Sequence, residues 1–346
     1  MDGIAIQAAS FSVGKSFVVQ GLQAAGQPPL TLTSPQHCIE VMTGAVLPVG
    51  CDAVIRSEDI ELSNGRATCM LPDVSPGVNI HAQGADARLG EQLLNFGQII
   101  SPAEVALLAS VGKSRVQVFQ LPTAAIVSTG DELVPVEVRP EAHQIRQSNV
   151  HALQASLKLH GWGCAVYHLP DRAELINDQL GKILATYKVV ILSGGVSKGK
   201  LDYVPSTLQR LGVQSLFHGV SQRPGKPFWF GTRPEGQVVF ALPGNPVSTQ
   251  VCFYKFILPW MYRQRGAARP NFSAMLTRDV EFKPNLTYFL QVKVSSQQGQ
   301  LLAEPMPGGG SGDFVNLSQT DGFLELPAGC DVYPAGEAFP YLPFRY

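Results

Sequence analysis

Carboxylates set beside glycine-rich turns are the residues here that could do chemistry. An apolar run, Ala124–Ser128, ends in Thr129-Gly130-Asp131-Glu132. A second, Val189–Leu192, ends in S-G-G-V-S-K-G-K-L-D (Ser193–Asp202), and a third, Val238–Leu242, ends in P-G-N-P-V-S (Pro243–Ser248). Each reads as a buried strand feeding a tight turn, and in an open α/β sheet ligands bind where such turns converge, beyond the carboxyl ends of the strands. Turn amides suit phosphate oxygens. Carboxylates close to a phosphate would repel it unless a hard cation such as Mg²⁺ lay between them, and Glu132 and Asp202, at the ends of two strands, suit that role.

Other readings of the same residues stay open. Gly194 to Lys200 fits G-x-x-x-x-G-K, most of a nucleotide-binding P-loop, but Leu201 stands where that loop needs a Ser or Thr for magnesium. A plain strand-to-helix turn would not need Asp202 at its mouth. Asp171 sits where a helix N-cap belongs, and Asp86, in G-A-D-A-R-L-G, lies on a separate stretch. Arg223-Pro-Gly-Lys226-Pro offers two cations on a stiff turn, either to an anionic ligand or to solvent.

The elements that must position these residues change along the chain. Up to about His81, short apolar runs alternate with turn residues, as in Ser16–Gln20, Cys51–Arg56 and Arg66–Leu71, an all-β pattern. Ser101-Pro102-Ala103-Glu104 reads as an N-cap, a proline at the first helical position and an early acid, opening a helix that Gly112 ends. From Pro122 the order becomes strand, loop, helix, with helices expected at Val150–Leu159, Ala173–Tyr187, Pro205–Leu211 and Val247–Gln264, the last apolar on more than one face. This implies a doubly wound parallel sheet. After Arg269-Pro270 the pattern returns to β, at Tyr288–Val294 and Gly322–Leu326; the Gly-rich Pro307–Gly312 between them reads as a functional turn.

Composition bounds the rest. The chain has 346 residues, enough for several domains with sizeable cores, and a net charge of -1, which gives no general attraction to nucleic acid or to a membrane surface. Six scattered cysteines, with no C-x-x-C, point to reduced thiols and a cytoplasmic protein. No apolar run reaches the roughly 20 residues of a membrane span.

In order along the chain stand M-D-G-I-A, M-T-G-A-V-L-P-V-G-C-D-A-V-I, G-A-D-A-R-L-G, S-T-G-D-E-L, S-G-G-V-S-K-G-K-L-D, R-P-G-K-P and L-P-G-N-P-V-S. Together they resemble the MoeA-type molybdopterin molybdenumtransferases, the family that includes the gephyrin E domain, from Met1 to about Pro259, with an echo in G-S-G-D-F (Gly310–Phe314). The resemblance implies insertion of molybdenum from molybdate into adenylyl-molybdopterin, with release of AMP and help from Mg²⁺. It implies a homodimer in which the β-rich arm of one subunit completes the site of the other, with molybdopterin adenylyltransferase as a further partner. By position it makes Asp86, Glu132, Asp171, Asp202 and Thr43 catalytic, with Glu132, Asp202 and Asp86 as metal ligands and Asp2 as the aspartate of M-D-G. Thr129, Gly130, Ser193, Gly194, Gly195, Ser197, Gly199, Lys226, Pro243 and Asn245 would hold the pterin ligand.

The sequence departs from the family pattern at Ile4, where a Tyr is usual, at Lys200, where the loop usually carries an acid, and at Gly219, where a lysine is usual. It opens at M-D-G, so the family's N-terminal helical stretch is expected to be missing. The architecture expected is a β-rich arm over 1–85, a helical segment over 86–121, an α/β molybdopterin-binding domain over 122–266 and a C-terminal β-barrel over 267–346. Two other functions remain open: molybdopterin adenylyltransferase, which shares the α/β domain but not the arm or the barrel, and a non-catalytic molybdopterin-binding or scaffold homologue.

Overall fold

The computed structural model describes residues 1–196 and 203–345. The chain divides into two compact units, Met1–Asn95 and Phe96–Tyr346.

The first unit is built on a six-stranded sheet. Its strand Gly3–Ile6 lies antiparallel between His37–Val41 and Ala53–Arg56, while Ser16–Gln23 runs parallel to His37–Val41. Ile4, Ile6, Phe17, Cys38, Ile55 and Cys69 form its main core. The strand start at Gly3 and the turn after Val41 meet through one carboxylate. Asp2 Oδ1 accepts from the Thr43 backbone N–H at 2.7 Å and from its hydroxyl at 2.9 Å.

The second unit opens with helix α1 (Pro102–Ser110), capped as its sequence predicts. The Ser101 hydroxyl accepts from the Ala103 N–H, and Glu104 reaches back to the Ser101 N–H. Beyond it lies the central sheet. Its elements are β1 (Ala124–Thr129), α2 (Asn149–Leu159), β2 (Cys164–Leu169), α3 (Ala173–Thr186), β3 (Val189–Ser193), α4 (Val204–Arg210), β4 (Gln214–His218), β5 (Trp229–Thr232), β6 (Val238–Leu242) and α5 (Pro246–Cys252). The strand order is β2-β1-β3-β6-β5-β4. The first four are parallel, and β5 and β4 add antiparallel at one edge.

β1 and β3 are buried at every residue because helices cover both faces. The two-residue period of a strand sorts their side chains. Ala124, Ile126 and Ile191 face α2, through Leu153 and Leu157, whereas Ala125, Val127, Val190 and Leu192 face α3, through Ile176 and Leu180. Since α2 and α3 leave β1 and reach β3 across opposite faces, the topological switch point falls between the carboxyl ends of β1 and β3.

The helix expected over Val247–Gln264 runs from Pro246, but with a π turn at Phe253–Ile257 before the final α turns Leu258–Gln264. Pro259 lacks an N–H and cannot continue the α pattern. The chain ends in a closed five-stranded barrel of β7 (Phe272–Leu276), β8 (Thr287–Gln297), β9 (Gln300–Pro305), β10 (Gly322–Leu326) and β11 (Ala338–Pro343). Pairing of β8 with β10 closes it. All six cysteines are free thiols. Among the described residues no helix is long and apolar enough to cross a membrane.

Candidate functional site

At the switch point a cavity of about 580 Å³ opens, walled by Ser128 and Thr129 from β1, Ser193 and Gly194 from β3, and Gly244 to Pro246 after β6. The three turns singled out in the sequence meet here. Asn149, at the start of α2, ties two of them together: its side-chain amide donates to Ser193 Oγ at 3.0 Å and to the Gly244 carbonyl at 2.7 Å.

The turn after β1 separates two acids that the sequence left side by side. Asp131 Oδ1 accepts from the Asp171 backbone N–H at 3.1 Å and so staples this turn to the one after β2. Glu132 lines the cavity. Its carboxylate lies over Gly130, where a Cβ would come within 2.3 Å of Glu132 Oε2 and the backbone φ is +138°. Only glycine serves at 130. The N-cap residue of α3 is Arg172 rather than Asp171.

The glycines after β3 are held by protein rather than by open space. At Gly195, with φ +66°, a Cβ would lie 2.8 Å from Thr129 Oγ1 and 2.9 Å from Val204 Cγ2. Thr129 is only 4% exposed, and its hydroxyl has no hydrogen-bond partner among the described residues. A buried hydroxyl left so costs about 1–3 kcal/mol.

A second cavity, of about 650 Å³, lies on the other side of Asn245. Arg223, Lys226, Pro243 and Ser248 line it from the α/β domain, and Tyr288, Gln291 and the turn at Pro307 to Ser311 from the barrel side. The Lys226 turn therefore faces a different space from the Glu132 turn, with the L-P-G-N-P loop as the wall between. Ser311 fixes that wall from outside: its hydroxyl accepts from the Asn245 amide at 2.8 Å, and its carbonyl from the Val247 N–H at 3.0 Å.

Thus Thr129, Glu132, Ser193, Gly194 and Asn245 share the first cavity, and Lys226, Pro243 and Asn245 the second. Gly130 and Gly195 support the first without lining it. Ser197, Gly199 and Asp202 fall outside the described residues. Thr43 and Asp86 belong to the first unit, where Asp86 Oδ2 meets His81 Nε2 at 3.0 Å. The sequence alone singles out neither Asn149 nor Ser311 as a site residue: Asn149 lies just before the helix expected over Val150–Leu159, and Ser311 sits in the Pro307–Gly312 turn, whose composition names no partner.

Among the described residues no three Asp, Glu, His or Cys side chains group closely enough to hold a metal ion. Glu132 still fits Mg²⁺, which takes one or two carboxylates with the rest of its shell from phosphate and water.

Comparison with known proteins covers nearly the whole chain. Three family models match in order: MoeA N-terminal region (domain I and II) at residues 1–112, a probable molybdopterin binding domain at 125–263, and MoeA C-terminal region (domain IV) at 273–344. A protein named molybdopterin molybdenumtransferase from Synechocystis sp. is 40% identical over 346 residues, covering 99% of this chain and 86% of that one. One of the same name from Haemophilus influenzae is 30% identical, covering 100% and 87%. The crystal structure of the molybdopterin biosynthesis moeA protein from Pyrococcus horikosii matches with a TM-score of 0.80 at 30% identity, covering 100% of this chain and 87% of that one. The arm, the α/β domain and the barrel all have their counterparts in these relatives, in the same order, and the chain belongs to the MoeA family.

Proposed function

We propose that this chain inserts molybdenum from molybdate into adenylyl-molybdopterin and releases AMP, as a molybdopterin molybdenumtransferase. The observation that carries the reading is the cavity at the β1/β3 switch point, walled by three glycine-rich turns and one carboxylate, in a chain 40% identical over 99% of its length to a protein of that name. The arm and the barrel favour it over the adenylyltransferase reading.

The chain's own groups account for most of the chemistry. Breaking a phosphoanhydride needs positioning and charge neutralisation more than covalent catalysis. The P–O–P bond breaks as an oxygen nucleophile joins one phosphorus, leaving AMP and molybdopterin phosphate. Thr129 and the amides beside Gly194 hold phosphate oxygens at the first cavity, and Asn149 keeps the turns after β3 and β6 in register around them. Arg223 and Lys226 hold an anionic group in the second. Glu132, with Asp202, is the place for Mg²⁺, which would neutralise anhydride oxygens when bound.

The subunit arrangement is a C₂ dimer in this reading, with Asp86 and Thr43 of one chain serving the α/β site of the other. In support, α1 is largely apolar yet buries none of its residues, and Val116, Val118 and Phe119 beyond it are also exposed.

The test is AMP release from adenylyl-molybdopterin. The reading requires release that depends on both molybdate and Mg²⁺. Formation of adenylyl-molybdopterin from molybdopterin and ATP would identify an adenylyltransferase instead, and binding with no turnover a scaffold.

A further inference from the structure

The barrel strand β8 carries a residue that packing does not explain. Along β8, Leu290 and Val292 point into the barrel core, so Phe289 and Gln291 share the opposite face. That face lies against α5, where Phe289 and Phe323 pack with Val247 and Val251. Gln291 pairs across the ladder with Phe323 itself. The position is therefore an apolar one by its neighbours, and a leucine would suit it. Gln291 is nevertheless only 4% exposed, and its side-chain Oε1 has no hydrogen-bond partner among the described residues. Burying an amide oxygen unpaired is unfavourable. The same side chain lines the cavity that also holds Arg223 and Lys226.

We propose that Gln291 is a ligand-contacting, specificity-determining residue supplied by the C-terminal barrel to the Arg223/Lys226 cavity, where its amide hydrogen-bonds the anionic ligand that the two cations attract. This rests on the functional reading above and deepens it. The cations supply charge without discrimination, whereas a fixed amide accepts from an N–H or O–H of the ligand and rejects a group that lacks one. Two parts of the reaction could meet this amide, the pterin ring by donating its N–H groups to Oε1 and the molybdate dianion by accepting from the amide N–H, so the experiment measures each alone.

Gln291→Leu keeps the volume and matches the surrounding face. Binding of molybdate alone and of molybdopterin alone is measured by calorimetry on the full chain, together with the ligand-free melting temperature. The expected result is a melting temperature held or raised, with at least tenfold weaker binding of one of the two ligands, about 1.4 kcal/mol. A merely structural glutamine would give the opposite, a lowered melting temperature with both affinities intact, and either half of that result overturns the assignment. If Gln291→Leu does not fold, Gln291→Met decides by the same criteria. Wild-type protein that binds neither ligand overturns the proposed function and this assignment with it. Wild-type binding that the substitution leaves unchanged overturns this assignment alone.

Discussion

Asp131 and Glu132 are adjacent acids with opposite uses. Asp131 is spent on the backbone of Asp171, and Glu132 is left lining the cavity over a glycine that has no alternative. Glu132→Gln is therefore expected to lower Mg²⁺-dependent turnover by about 10²-fold or more while leaving the melting temperature unchanged. Asp202→Asn is expected to do the same. Steady-state AMP release at saturating Mg²⁺ checks both, and wild-type rates in both variants would remove the metal assignment. The sequence made this site legible as far as its turns: three apolar runs ending in glycines predict strand ends, and strand ends predict convergence. It could not show that Asp131 turns away from the site, because that depends on the backbone of Asp171, 40 residues further on. Nor could it show that Lys226 and Glu132 face separate cavities, which follows from where the L-P-G-N-P loop is anchored. The anchor is Ser311, on the barrel side.

At the scale of elements, the two arm motifs M-D-G and M-T-G come together through Asp2 and Thr43, although they stand on different strands' ends. The backbone N–H of Thr43, and after it the hydroxyl, hold the Asp2 carboxyl below the usual carboxylate range. Thr43→Val keeps the first bond and removes the second, so the Asp2 pKa is expected to rise toward its ordinary value, read by NMR titration of the carboxyl. The sign follows from linkage. A carboxylate whose folded pKa is depressed contributes stability above its unfolded pKa and loses it as pH falls through the folded one, so the variant should fall short of wild type by a constant amount at and above neutral pH, by less as pH falls through the folded values, and not at all well below both. No movement of the Asp2 pKa would show that the hydroxyl contact is not made in solution. Local signals such as the Ser101/Glu104 cap and the strand at Gly322–Leu326 were readable because neighbouring residues decide them. The break at Phe253–Ile257 was not, although Pro259 was in view, since a proline can kink, end or loosen a helix and the surrounding core decides which.

For the whole molecule, the proposed dimer with shared sites, which the exposed apolar residues on and after α1 support, has its own test. Mixing an Asp86→Ala chain with an Asp202→Ala chain should restore about a quarter of the wild-type sites by random pairing of two-fold dimers. A fully active monomer in light scattering, or a mixture that stays inactive although subunits exchange, would place both residues within one chain. The central claim is that anhydride cleavage and molybdenum insertion belong to one reaction. It is tested most directly by counting molybdenum retained on molybdopterin against AMP released in single-turnover reactions of wild type and of Glu132→Gln. The account predicts one molybdenum for each AMP in the wild type, with both falling together in the variant; AMP released without molybdenum gained, or molybdenum gained with the anhydride intact, would contradict it.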